Sequence, residues 1–365
     1  MLNHRSGLRK IKKLGLLQGR QSKLRAAFFE EHGGPEVLKI CERPDPEPGP
    51  GDALVEVSAC GLNHLDIWVR LGGKRNFPLP IIPGSDPAGV VLEAPSDSGL
   101  EPGDEVIIYP CEGHGDEDAL SRGDDQLCPD FRIYGAARDG GMAEKIAVPA
   151  ANCFAKPKTL SMHEAAAVSI NYITAWHMLV ARAEVRAGER VLIQAAGSGV
   201  STAAIQIASH LGAQVLATSS TEEKLEHAMR CGARETVNYR EDDVPARVME
   251  FTSGRGADVV FDHVGEPNWE CDLASLAKGG RLVFCGTTGG AEVTVNLSSV
   301  YFMGQSILGS TMGRRDELEQ VLALMGEGRL KPVIDRVFPL AELAEAHRYL
   351  EDGKQTGKII IDIGS

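Results

Sequence analysis

The chain has 365 residues, of which 43% are hydrophobic and 24% are charged, and its formal net charge is -13. This composition is that of a globular protein long enough for two domains. The acidic balance argues against a nucleic-acid surface, and no apolar run reaches the roughly 18–20 residues that cross a membrane, so we expect neither nucleic acid nor a membrane as a partner.

The N-terminal segment has a composition of its own. Residues 1–25 carry eight basic side chains and no acidic one. One interpretation is an amphipathic, acid-free transit peptide. We favour a disordered basic extension over residues 1–24. The eight cysteines are scattered along the chain, which predicts reduced thiols and a cytoplasmic location.

Short alternating runs broken by Pro and Gly fill the first third of the chain. The runs at 53–59, 88–94 and 104–110 predict antiparallel strands. A β-rich domain is therefore expected before the middle of the chain.

The middle of the chain changes to short apolar runs separated by helical patterns. The runs at 190–196, 213–219, 257–264 and 280–286 predict the buried parallel strands of βαβ units. In "STAAIQIASHLG", residues Ala204, Ile207, Ala208 and Leu211 share one helical face, and Gly212 ends the helix. Ser220 and Glu223 predict a capping box at the start of the next helix.

A glycine-rich turn joins the first of these strands to its helix. It contains Gly197, Ser198, Gly199 and Val200, and small residues there allow the backbone to approach a pyrophosphate at a helix N-terminus. The turn departs from G-x-G-x-x-G, because Ala196, Ser198 and Ser201 fill the three glycine positions. Its strand–turn–helix context nevertheless predicts a dinucleotide site.

The end of the second strand indicates which dinucleotide binds. An NAD site usually has an acid there, whereas this chain has Ser219 and Ser220, with Lys224 one helical turn later. Hydroxyls and a lysine suit a 2′-phosphate, so the cofactor is predicted to be NADP(H). The alternative is that Ser220 only caps the helix and that Lys224 is a solvated charge.

Over residues 25–365 the chain resembles the medium-chain dehydrogenase/reductase superfamily. The resemblance rests on stretches that include "CGLNHLDIWVRLGG", "IIPGSDPAGVV", "DGGMAEKIAVPA", "VLIQAAGSGVSTAAIQIA" and "GKIII". It implies a GroES-like catalytic domain over 25–171 and 311–365 and an inserted Rossmann domain, a doubly wound parallel sheet, over 172–310. It also implies that Thr174 lies by the nicotinamide, that Tyr239 meets the adenosine ribose phosphate, and that the protein is a homodimer or homotetramer.

The resemblance raises the question of a catalytic zinc ion. Zinc alcohol dehydrogenases have a cysteine where this chain has Asn63, and a histidine and a glutamate where it has Ser85 and Asp86. A catalytic zinc needs about three N, S or carboxylate ligands, and Asn and Ser are poor ones. The pattern matches the zinc-independent, quinone oxidoreductase-like members, so zinc-free chemistry is expected. Cys60 is then an ordinary buried thiol.

Three residues of "CGLNHLDIWV" are candidate catalytic residues. Asn63 could donate a hydrogen bond to a carbonyl oxygen, and Trp68 could wall the substrate cleft. His64 has two interpretations, a residue facing the cofactor phosphates or a plain histidine of the cleft wall. Asp66 is expected to fix the loop through backbone hydrogen bonds.

A second metal question concerns the segment 111–128. Many relatives hold a structural zinc ion there with four cysteines, whereas here Cys111 and Cys128 remain, and His114 and Glu117 stand near the other two positions. A degenerate structural zinc site is one interpretation. We favour an acidic solvated loop without metal.

Together these features predict an NADPH-dependent oxidoreductase that transfers a hydride, without zinc, to a quinone, an enone or a similar small carbonyl substrate. The alternatives are a zinc-dependent alcohol dehydrogenase and an NADPH-binding protein with little turnover.

Overall fold

The computed structural model describes residues 23–73 and 77–364. The nine strands of the first part of the chain are listed here: β1 Lys23–Phe28, β2 Lys39–Pro44, β3 Asp52–Leu62, β4 Asp86–Glu93, β5 Glu105–Ile108, β6 Cys111–His114, β7 Asp130–Ile133, β8 Lys145–Pro149 and β9 Cys153–Ala155. The later strands are β10 Arg190–Ile193, β11 Gln214–Ser219, β12 Glu235–Asn238, β13 Ala257–Asp262, β14 Leu276–Phe284, β15 Ser306–Gly309, β16 Ile334–Pro339 and β17 Lys358–Asp362.

The helices follow the same chain order. They are α1 His64–Leu71, α2 Glu117–Ser121, α3 Met162–Ala165, α4 Ser169–Trp176, α5 Gly199–His210, α6 Glu222–Cys231, α7 Val244–Phe251, α8 Trp269–Ser275, α9 Leu297–Met303, α10 Arg315–Gly326 and α11 Leu343–Glu351. Helix α4 continues as a π-helix over His177–Arg182. No helix in the described ranges is both long and apolar enough to cross a membrane.

Six parallel strands form the first large sheet, in the order β12-β11-β10-β13-β14-β15. The apolar runs predicted as parallel strands all lie in it. In α5 the predicted inner face is buried, since Ala204, Ile207 and Ala208 have no exposed surface, and the helix ends just before Gly212. The predicted doubly wound sheet is confirmed.

A seven-stranded, mostly antiparallel sheet forms the second unit, in the order β16-β17-β3-β4-β5-β9, with β8 also paired to β3. Its strands come from two separate parts of the chain, because β16 and β17 follow the parallel sheet in sequence. Strand β3 lies between β17 and β4, so residues from both ends of the chain meet beside it. The mixed α/β and β-rich fold class is therefore confirmed.

Helix α10 shows how closely the two units are joined. The predicted domain division, at 171/172 and 310/311, assigns this helix to the catalytic domain. In the structure α10 packs on α4, and its Leu318 and Val321 share a hydrophobic core with Ala204 and Ile207 of α5. The residue-level domain boundaries stay predictions.

Two local expectations need correction. Of the extension predicted over 1–24, residues 1–22 lie outside the described ranges, but Lys23 and Leu24 belong to β1, where Leu24 is buried in the core. The capping box expected from Ser220 is wrong, because the N-cap of α6 is Thr221, whose side chain makes no capping hydrogen bond.

Candidate active site

A cleft of about 400 Å³ lies between the two sheets. Its walls come from the β3–α1 junction, the start of α4, the glycine-rich turn before α5, the ends of β13 and β14, and the start of β17. The predicted residues that line it are Asn63, His64, Trp68, Thr174, Ser198, Gly199 and Val200. The structure thus brings the catalytic candidates and the dinucleotide turn to one cavity.

The floor of the cleft is a buried polar network on three adjacent strands. The Lys358 ammonium donates to Asn63 Oδ1 at 2.5 Å and to Asp86 Oδ2 at 2.7 Å, and Asn63 Nδ2 donates to the same Asp86 oxygen at 2.9 Å. The lysine side chain is 4% exposed and that of Asp86 is 0% exposed. The second oxygen, Asp86 Oδ1, accepts the backbone N–H of Ile170 at 2.8 Å. The network therefore ties β17, β3, β4 and the start of α4 together.

The register of the strands explains why these residues meet. Gly61 pairs with Asp86 on one side and with Ile360 on the other, and Leu62 pairs with Ile359, so Lys358 follows next to Asn63. A Cβ atom on Gly61 would lie 2.6 Å from Lys358 Cε and 2.3 Å from the Ala166 carbonyl oxygen. Glycine is required there because a Cβ atom would clash with the backbone carbonyl of Ala166 and would also press on the lysine stem.

Asp66 fixes the β3–α1 junction. Its carboxylate accepts the backbone N–H of Asn63 at 2.8 Å and that of Gly84 at 2.9 Å. Burial raises the pKa of Asp66 to about 6, and the two N–H groups oppose that rise. The predicted loop-fixing role of Asp66 is confirmed. Cys60 has no exposed surface and packs in the catalytic-domain core, as predicted.

Two histidines, His64 and His263, line the cleft. The pKa of His64 is lowered to about 4, mainly by burial and further by the nearby His263 and Lys358. The ring is therefore neutral near pH 7. The His263 Nε2 atom lies 2.9 Å from Ser198 Oγ and 3.0 Å from Ser201 Oγ. His64 therefore lines the cleft as a neutral group.

The Ser201 hydroxyl occupies the third fingerprint position without strain. It donates to the Gln194 carbonyl oxygen at 2.7 Å, which leaves only its lone pairs for His263. The His263 Nε2 atom must then donate, so the Ser198 hydroxyl keeps its own hydrogen for a ligand. Hydrogen bonds to Gln194 and His263 therefore hold Ser201 at a position where the G-x-G-x-x-G pattern has glycine.

The glycine-rich turn is shaped for close approach. A Cβ atom on Gly199 would lie 2.4 Å from Asn171 Nδ2, and one on Gly197 would lie 2.6 Å from Lys224 Cδ. Helix α5 starts at Gly199, and the first N–H groups of a helix have no intrahelical acceptor. Backbone donors and a positive helix end therefore face the cleft, which suits a pyrophosphate.

The predicted 2′-phosphate residues lie beyond the turn, at the end of β11. Ser219 is buried, and its carbonyl oxygen accepts the N–H of Tyr239, whose side chain is 50% exposed. Ser220 is partly buried. The Lys224 ammonium donates to the Gly353 carbonyl oxygen at 2.6 Å, so this lysine also links α6 to the turn before β17.

The residues proposed as metal ligands do not converge. Within the described ranges no group of three or more His, Cys, Asp or Glu side chains is placed to hold a metal ion. His114 lies 3.4 Å from Glu112, and Cys128 Sγ contacts the Asp116 carbonyl oxygen. Cys111 is buried, and burial raises the pKa of its thiol to about 12.

Sequence reasoning missed Lys358, His263 and Gln355 as cleft residues. A lysine that opens the apolar strand "KIII" and a histidine directly after the parallel strand β13 were the available signals. Gln355 is 7% exposed, lines the cleft, and its Oε1 atom has no hydrogen-bond partner. Only the fold shows that Lys358 meets Asn63, that His263 meets the glycine-rich turn, and that Gln355 lines the same cleft.

Comparisons with known proteins agree with this architecture. Residues 49–158 match the family model for the alcohol dehydrogenase GroES-like domain, and residues 199–327 match that for zinc-binding dehydrogenases. A quinone oxidoreductase of Pongo abelii is 33% identical over 351 residues, which cover 93% of this chain and 98% of that protein.

Solved structures give the same result. A crystal structure described as an NAD-dependent alcohol dehydrogenase is 45% identical, with a TM-score of 0.90 over 93% of this chain and 100% of that one. A crotonyl-CoA carboxylase/reductase in complex with NADP is 25% identical, with a TM-score of 0.87 over 93% and 94% of the two chains. The chain is therefore an oxidoreductase of the medium-chain dehydrogenase/reductase superfamily and belongs to its quinone oxidoreductase-like members.

Proposed function

We propose that this protein is an NADPH-dependent oxidoreductase that reduces a quinone, an enone or a similar small carbonyl compound by hydride transfer without a catalytic zinc ion. The observation that carries the proposal is the hydrogen-bonded set of Lys358, Asn63 and Asp86 on the cleft floor. It combines a fixed positive charge with an adjoining dinucleotide turn.

The residues at this position do not fit a zinc ion. The Asn63 amide bonds through both its oxygen and its nitrogen, and the Ser85 hydroxyl donates to the Tyr134 carbonyl oxygen at 2.6 Å. The ammonium of Lys358 already lies beside the oxygen atoms of Asn63 and Asp86. A divalent cation there would face a like charge in a buried site, where repulsion is strong.

The residues of the glycine-rich turn do fit a dinucleotide. Ser198, Gly199 and Val200 would hold the pyrophosphate, and Thr174 would lie by the nicotinamide. Ser219, Ser220, Lys224 and Tyr239 would hold the 2′-phosphate of NADP(H). When bound, the cofactor supplies the hydride. The chain orients the substrate, and Trp68 and Ile170 provide apolar cleft surface that excludes water.

Purified protein is tested with NADPH and with NADH against a panel of quinones, enones and aldehydes, and its zinc content is measured. We expect NADPH oxidation with quinones or enones and less than half an equivalent of zinc. Turnover of alcohols that depends on bound zinc would refute the proposal and support the zinc-dependent alcohol dehydrogenase. Stoichiometric NADPH binding without turnover on any compound would support the NADPH-binding alternative.

The choice of NADPH over NADH rests on the end of β11, where Ser219, Ser220 and Thr221 provide no carboxylate for a ribose 2′-hydroxyl. The 45% identical structure carries an NAD-dependent description, so the comparison of the two cofactors is the deciding measurement. A lower KM for NADH would overturn the assignment of Lys224.

We also propose that the protein forms a homodimer, or a tetramer built from such dimers. Strand β15 is an edge of the parallel sheet, and α9, which precedes it in the chain and packs on β14, exposes Leu297, Tyr301 and Phe302 by 75%, 74% and 72%. An exposed strand edge and exposed large apolar side chains both favour pairing with a second copy. A cytoplasmic location is supported by the eight cysteines, all of which are free.

A further inference from the structure

On the cleft floor, the Lys358 ammonium has more N–H donors than hydrogen-bond acceptors within the protein. An ammonium has three N–H donors, and Lys358 uses two of them, on Asn63 and on Asp86. Asn63 is already committed, because its Nδ2 atom donates to Asp86 at 2.9 Å and also contacts the Gly61 carbonyl oxygen at 3.5 Å. Lys358 therefore retains one donor, and the residue lines the cleft.

These hydrogen bonds indicate a different role for Asn63 from the one that the sequence suggested. The amide has two N–H groups, of which one bonds to Asp86 and the other contacts the Gly61 carbonyl oxygen at 3.5 Å, so it would have to leave one of these contacts to bind an oxyanion. Its oxygen instead holds the lysine, and the carboxylate of Asp86 supplies the balancing charge. Asn63 is thus a positioning residue for Lys358.

We propose that the Lys358 ammonium donates its third hydrogen bond to the carbonyl oxygen of the substrate and stabilises the negative charge that gathers on that oxygen during reduction. This inference rests on the proposed function and names the group in the protein that takes the place of a metal ion.

The step balances without any further reagent. The substrate carbon gains a hydride, the π-electron pair moves to the oxygen, and the dinucleotide is oxidised by two electrons. The oxygen, or for an enone the α-carbon, then takes a proton from water. Lys358 keeps its own protons throughout and acts by electrostatic stabilisation, which is strongest in a cleft that excludes water.

Nearby groups support a fixed positive charge at this position. Asp86 is paired to Lys358 and is fully buried, so the ion pair is held rigidly. His64 is neutral because burial lowers its pKa to about 4, so it adds no second cation. Gly61 leaves the space through which the lysine stem passes. The ammonium is therefore preorganised rather than recruited when substrate arrives.

The test compares Lys358→Met and Lys358→Arg with the exposed control Lys354→Met, whose ammonium pairs with Asp352 at 2.7 Å on the surface. For Lys358→Met we expect kcat to fall by about 10²–10³-fold, the loss typical of one oxyanion donor. The Kd for NADPH, measured by fluorescence without substrate, should stay within about twofold. Lys358→Arg should recover part of kcat, and the control should match the original protein.

A second variant tests whether a loss of activity comes from misfolding, because Lys358→Met alone leaves Asp86 buried without a counterion. The double variant Lys358→Met/Asp86→Asn removes both charges together and should show the same loss in kcat with an unchanged Kd for NADPH. An unchanged kcat in that variant would overturn the inference. A tenfold rise in the Kd for NADPH with kcat retained would also overturn it and would assign Lys358 to the cofactor phosphates. Absence of turnover in the unmodified protein would instead refute the proposed function.

Discussion

Replacing Asp86 by Ala isolates the energy of the buried network. The change removes a carboxylate that accepts hydrogen bonds from Lys358, Asn63 and the Ile170 backbone at 2.7, 2.9 and 2.8 Å. It also leaves the ammonium, on a side chain that is 4% exposed, without its counterion. Breaking a buried pair from one side costs about 3–5 kcal/mol, mainly because a buried charge remains uncompensated.

The magnitude can be checked by thermal unfolding. For chains of 150–250 residues, 1 kcal/mol corresponds to about 2–4 °C in Tm, and a longer chain lies at the low end. We therefore expect Asp86→Ala to lower Tm by about 6–10 °C. Asp352→Ala removes an ion pair of the same 2.7 Å length whose side chains are 54% and 61% exposed. That control should change the stability by less than about 1 kcal/mol, because solvent screens exposed pairs.

The double variant Asp86→Ala/Lys358→Met decides whether the charge is responsible. If the unpaired ammonium causes the loss, removing it should restore part of the stability, and the two single effects should not add. Additive effects, or a fall in Tm no larger than that of Asp352→Ala, would refute the reasoning. The remaining hydrogen bonds of Asn63 would then have to account for the stability of the junction.

Three further predictions follow from other parts of the structure. Lys224→Ala should raise the Kd for NADPH by about tenfold and leave the Kd for NADH unchanged, both measured by fluorescence titration. Equal increases in both Kd values would show that the hydrogen bond of Lys224 to Gly353, rather than a contact to the 2′-phosphate, supports cofactor binding. Tyr301→Asp/Phe302→Asp should convert the oligomer to monomer in light scattering, and retention of the assembly would place the interface elsewhere. The folded protein lowers the pKa of His64 to about 4 from its usual 6.5, so the stability that this group contributes above about pH 6.5 should be lost as the pH falls toward 4. Urea unfolding at several pH values should show a weaker pH dependence of the unfolding free energy in His64→Gln, and an unchanged dependence would contradict this prediction.

Local patterns were enough to predict most elements and the dinucleotide turn. The period-3.6 pattern of α5 and the apolar runs of the parallel strands are short-range signals, because one strand or helix face is buried along its whole length. The turn between them carries Gly197 and Gly199, whose missing side chains are visible in the sequence. The start of α6 was less predictable, since Ser220 and Thr221 are both acceptable caps by residue type and only backbone geometry distinguishes them.

The roles of the cleft residues depended on contacts between distant parts of the chain. Asn63 and Lys358 are 295 positions apart and meet only because β17 pairs with β3 in one register. A hydrogen-bond inventory needs the positions of all partners, so the sequence suggested Asn63 as the donor and passed over Lys358. His263 was missed for the same reason, since Ser198 and Ser201 contact it only after β13 lies beside β10.

The sequence by itself determined the two kinds of sheet, the nucleotide turn and the loss of usual zinc-ligand types at positions 63 and 85, because each depends on residue identity and short spacing. The tertiary structure decided which contacts the residues at and around those positions make. Strand pairing brings the ammonium of Lys358 against Asn63 and Asp86, and a buried charge takes its chemistry from its nearest partners, which no local stretch of sequence contains.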